Sequence, residues 1–127
     1  MNTLILIAGL VATVTTIGHF TAGTKMFLIP MLDASFDLTA KKVMHSVFHY
    51  VSVFLIFSSL FLLLAGAGIN MGGDPVLMVR FIALNYAGFA VWQILIAVRS
   101  GIPNVMRKMF QWIFFVVIST SALIGSL

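Results

Sequence analysis

The chain has 127 residues, of which 61% are hydrophobic and only 8% charged, against about 25% charged in an ordinary soluble domain. Roughly 30% of the unfolded chain's surface stays wet when a domain of this size folds, so the composition excludes a soluble enzyme domain, and it is too apolar for disorder. The net charge of +4 rests on seven basic and three acidic residues, too few for a nucleic-acid-binding stripe, and the absence of cysteine excludes disulfides, thiolate metal sites and cysteine nucleophiles.

Lipid is therefore the expected solvent, and the expected fold class is all-α: an integral membrane four-helix transmembrane bundle forming one domain over residues 1–127. A spanning helix needs about 20 apolar residues, and four segments supply them. The first covers about 4–22. Met1-Asn2-Thr3 leads directly into Leu4-Ile5-Leu6-Ile7 with no basic n-region, which predicts an uncleaved first span. Pro30, Asp33 and Asp37 are expected to end it. The mixed segment 23–42, with Met26, Phe27 and Phe36 among Lys25, Asp33 and Asp37, is expected to lie in the membrane interface. The second span covers about 43–67 and unwinds at Gly66, Gly68, Gly72 and Gly73. Asp74-Pro75 reads as an N-cap and first-turn proline for the third span, about 76–98. Ser100-Gly101-Ile102-Pro103 is a short hairpin into the fourth, about 109–126.

Four spans place both termini on one side. Lys25, Lys41, Lys42, Arg99, Arg107 and Lys108 then flank the first and third loops, and only Arg80 lies near the other side. That asymmetry predicts cytoplasmic first and third loops, with both termini outside the cytoplasm of a bacterial inner membrane.

Polar residues inside the spans are the default place to look for function. The first span carries Ala8, Ala12, Thr15, His19 and Gly23 at helical spacing. The second carries His45, Ser52, Ser59 and Gly66, with His49 one turn from His45. The third offers Asn85, Trp92 and Arg99, with Gln93 adjacent, and the fourth offers Gln111. At about 1.5 Å per residue, His19, His45, His49, Gln93 and Gln111 converge near the cytoplasmic side. The three histidines are expected to face one shared interior site.

No Glu occurs and all three Asp lie in loops, which argues against proton-coupled export on an intramembrane carboxylate and against aspartyl intramembrane proteolysis. Two classes of function remain. In the first, the chain is a non-enzymatic accessory or oligomeric subunit of a membrane assembly, and the polar slab joins helix to helix or to a partner. In the second, the chain binds a cofactor or metal through His19, His45 and His49, with Gln93 and Gln111 beside them. Haem b would use imidazoles from two helices, copper would use imidazoles with nearby methionines, and a quinone would use His, Gln and Trp near the interface. The expected partners are the lipid bilayer and either further copies of the chain or a larger membrane complex.

Overall fold

Asn2 caps the first helix, its side chain accepting from the Ile5 amide at 3.2 Å. Helix α1 (Thr3–Gly18) passes without a break into a π-helical stretch, His19–Leu28, and then into α2 (Ile29–Asp33). After a four-residue turn, α3 (Leu38–Ala67) begins with Asp37 as its cap, bonded to the Ala40 amide at 2.7 Å. Helix α4 (Pro75–Arg99) starts, as expected, on Asp74 with proline in its first turn. A short α5 (Val105–Lys108) precedes α6 (Trp112–Gly125). These elements come from a computed structural model describing residues 1–127, all-helical and without strands.

Three of the helical rods, Thr3–Asp33, Leu38–Ala67 and Pro75–Arg99, are long and apolar enough to cross a membrane. The fourth is not. Helix α6 has 14 residues, about 21 Å at 1.5 Å per residue, against a hydrocarbon core of about 30 Å. The segment expected to be one helix over 109–126 is interrupted because the backbone turns at Met109, with φ −110° and ψ 57°. The Gln93 side chain donates to the Met109 carbonyl, although at a long 3.4 Å.

The expected end of the first span is also corrected. Pro30 does not stop the helix, and the segment 23–42 is helical over most of its length. It continues both rods, leaving only residues 34–37 outside a helix. A proline inside an α-helix removes one hydrogen bond and clashes with the carbonyl four residues back. Here the preceding turns already bond five residues back, as from the Ile29 amide to the Thr24 carbonyl.

Helix α1 packs most extensively on α3, α6 packs on α1 and α4, and α3 and α4 barely touch. Small residues permit the closest crossing. A Cβ added at Gly66 would lie 2.5 Å from the Leu6 amide nitrogen, and one at Gly9 would lie 2.7 Å from that of Leu63. Such clashes are with backbone, so the two helices would have to separate. The core comprises Ala8, Ala12, Leu55, Leu62, Ala83, Tyr86, Ile118 and Ala122, all within 1% of full burial. The stripe expected on the first span is buried at Ala8, Ala12, Thr15 and Gly23, and that on the second at Ser52, Ser59 and Gly66. The third-span stripe faces the other way. Trp92 is 67% exposed and Asn85 bonds its own helix at Phe81, while Val79, Ile82, Ala83, Tyr86 and Ala90 face inward.

Asn2 joins three helix ends. Its amide donates to Gly66 O at 2.7 Å and its side-chain nitrogen donates to Gly125 O at 2.7 Å. Arg80 stands at the same end and donates to Ser126 O at 2.7 Å.

Candidate functional site

Counted from the end held by Asn2, Gly66, Arg80 and Gly125, the residues His19, Ser52, Gln93 and Gln111 all lie about 20–25 Å along their helices. The antiparallel order therefore gathers them at one level, as the sequence predicts for His19, Gln93 and Gln111. They form two linked polar pairs. His19 Nε2 lies 2.9 Å from Ser52 Oγ, and Gln93 Nε2 donates to Gln111 Oε1 at 2.7 Å. Gln93 Oε1 is buried without a partner.

A cavity of about 220 Å³ opens between the π-helical stretch, α3 and the start of α6. Both His19 and Gln111 line it. Its walls are apolar and largely aromatic: Phe27, Phe48, Phe110, Phe114 and Phe115. The π-helical stretch contributes His19, Ala22, Gly23, Met26 and Phe27, more than any other element of similar length. π-Turns occur frequently at functional sites, and here the irregular stretch and the cavity coincide.

The orientation of His19 follows from its neighbours. The Ser52 hydroxyl also lies 3.0 Å from Phe48 O, to which it can give its single proton. Ser52 Oγ then accepts from His19 Nε2–H, and Nδ1 of the neutral ring is left as an acceptor. Rotation of the hydroxyl toward Nε2 reverses the arrangement and makes Nδ1–H a donor. Gln111 spends its carbonyl oxygen on Gln93, so its amide N–H groups remain free. Of the residues lining the cavity, Gln111 thus keeps unpaired amide N–H groups and His19 keeps a second ring nitrogen that is donor or acceptor by tautomer.

The three histidines make two separate hydrogen-bonded pairings, His19 with Ser52 and His45 with His49. His45 and His49 face each other, Nε2 to Nε2 at 3.2 Å, with His49 exposed and His45 half-buried. Phe48 explains the separation. Its ring stacks on His19 at 4.0 Å between centres and meets His49 edge-on at 5.6 Å. The next residue, His49, is thereby turned to the outer surface. No group of three His, Cys, Asp or Glu side chains has the arrangement of a metal site. Ser52 and the phenylalanine walls are the parts of the site that sequence alone did not assign. The seven-residue spacing His45-Ser52-Ser59 was the available signal for Ser52, whereas nothing in a phenylalanine-rich sequence separates wall residues from lipid-facing ones.

A second buried polar contact lies nearer the middle of the bundle. Tyr86, fully buried, places its hydroxyl 2.9 Å from Ser58 Oγ.

No family model, curated protein or solved structure matches the chain.

Proposed function

We propose that this is a multi-pass protein of a bacterial inner membrane whose cavity binds a membrane-soluble quinone. The chain crosses four times, with α6 completing the fourth passage through the turn at Val105–Gln111. Both termini lie outside, because six of the seven basic residues stand at the opposite end from Arg80.

The observation that carries this reading is the pairing of His19 and Gln111 at the rim of an aromatic-walled cavity. An apolar cavity with a few convergent polar groups is the usual form of a small-molecule site. A void of about 150 Å³ holds benzene, so 220 Å³ suits one substituted six-membered ring. A quinone carbonyl accepts from Gln111 Nε2. His19 serves either oxidation state: as Nδ1–H it donates to a second carbonyl, and in the other tautomer it accepts from a quinol hydroxyl. The isoprenoid tail leaves through lipid, where apolar surface needs no protein cover. The proposed role is binding, since no carboxylate or cysteine lines the cavity.

The test uses protein in nanodiscs of quinone-free lipid, titrated with a short-tailed benzoquinone analogue and read by quenching of tryptophan fluorescence. Saturable one-to-one quenching is expected. His19→Leu and Gln111→Leu should each weaken it by about tenfold, the equivalent of one hydrogen bond. Non-saturating partition, identical in the wild type and both variants, would overturn the proposal.

A second reading, a non-enzymatic accessory subunit or homo-oligomer, is favoured by a different observation. Where α3 and α4 diverge, they leave a wholly apolar groove walled by Phe54, Phe57, Phe61, Leu64, Met78 and Phe81. Native mass spectrometry from mild detergent distinguishes a defined multimer or complex, which supports this reading, from a monomer at every condition, which removes it.

A further inference from the structure

The His45–His49 pair stands outside the cavity and has no part in the quinone site. One helical turn separates the two residues, the spacing at which two imidazoles reach one metal ion. Their geometry is more specific than the spacing. The two Nε2 atoms are 3.2 Å apart while the ring centres are 5.0 Å apart. Ring axes that converge beyond the nitrogens satisfy both distances. In a symmetric arrangement they meet about 2.0 Å from each Nε2, which is the length of a zinc–imidazole bond. A straight N–H···N bond at the same separation would hold the ring centres about half an ångström farther apart.

Access and chemistry agree with this geometry. His49 is exposed and His45 half-buried. Both lie toward the basic end of α3, where Lys42 precedes His45 by three residues. Neither imidazole has another side-chain hydrogen-bond partner. No third His, Cys, Asp or Glu completes a set.

We propose that His45 and His49 form a two-nitrogen site for an exchangeable divalent first-row transition-metal ion, with water filling the remaining positions. Cu²⁺ binds more tightly than Zn²⁺, following the general order for nitrogen ligands. In the metal-free pair one Nε2–H bridges to the other nitrogen. On binding, that ring becomes the Nδ1–H tautomer, both Nε2 lone pairs meet the ion, and no proton is released from a neutral pair. Two protein ligands and a nearby lysine make the site weaker than a structural zinc centre, so the ion is held reversibly.

The experiment uses full-length protein purified without a polyhistidine tag and reconstituted in nanodiscs. It is titrated with Cu²⁺ and, separately, with Zn²⁺. One equivalent of Cu²⁺ is expected, with nitrogen hyperfine structure from two imidazoles in its electron paramagnetic resonance spectrum. His45→Ala and His49→Ala should each weaken binding at least tenfold, about 1.4 kcal/mol, and His19→Leu should leave it unchanged. His49 is exposed and His45 only half-buried, and helicity by circular dichroism verifies that each variant is folded. Cu²⁺ affinity unaffected by either alanine variant overturns the site. Equal loss in His19→Leu overturns the two-nitrogen assignment in favour of a three-histidine one. Because His19→Leu is expected to weaken quinone quenching and to leave Cu²⁺ binding unchanged, failure of one proposal is separable from failure of the other.

Discussion

At the scale of single residues, the bundle buries few polar side chains and most of these bond locally. Thr15 Oγ1 returns to Val11 O and Ser59 Oγ to Ile56 O. Bonds between helices are the exceptions, and Tyr86 shows what one is worth. Tyr86→Phe keeps the ring in place, and Ser58 Oγ can still donate to Leu55 O. The expected loss is about 0.6–1.7 kcal/mol, the range for interhelical bonds in membranes. Tyr86→Ala also empties a space shared with Phe54, Phe89 and Phe115, and the expected loss is about 3–5 kcal/mol. Unfolding in mixed micelles measures both. A Tyr86→Phe loss as large as the Tyr86→Ala loss would mean that the hydroxyl, not the packing, holds this layer. Spacing alone identified His19 and Gln111, because few polar residues occur in the spans and helical periodicity fixes their faces. It misplaced His49, which is about 60° around the helix from the Ser52 stripe and lies behind Phe48.

At the scale of elements, the sequence was most legible where a cap and an apolar run agree, as at Asp74-Pro75 and α4. It was least legible at Pro30, where local preference and structure part. An ordinary interior proline costs about 3 kcal/mol relative to alanine. If the π-helical stretch has already given up the four-back bonding that proline disrupts, Pro30→Ala should stabilise the protein by less than about 1 kcal/mol. Thermal unfolding in detergent measures the gain, and a gain near 3 kcal/mol would show that the proline is strained after all. The helix expected over residues 109–126 is shorter than its apolar run for a related reason. Residues 109–111 are apolar or polar by composition, but the backbone turn at Met109 and the Gln93 bond to its carbonyl are tertiary features that hydropathy does not register.

At the scale of the whole molecule, alternating helix direction sorts the charges. Arg80 lies with Asn2 and Ser126 at one end, and Lys25, Lys41, Lys42, Arg99, Arg107 and Lys108 lie toward the other. The chain has no cysteine, so single cysteines can be labelled without background. With the proposed orientation, Asp74→Cys reacts with an impermeant maleimide in intact cells. Asp33→Cys reacts only after permeabilisation. The reverse pattern would invert the topology while leaving the bundle itself untouched.

The three-way junction at Asn2 bears on how the protein is made. Its side chain meets the Gly125 carbonyl, 123 positions away in sequence. Helix α1 thus lacks one of its neighbours until α6 has been synthesised. At about 5–20 residues per second, this leaves an interval on the order of ten seconds during which the face of α1 toward α6 lacks its cover. A ribosome stalled before α6 would release a chain with that face uncovered, and membrane quality-control proteases would have a surface by which to distinguish it from the finished protein.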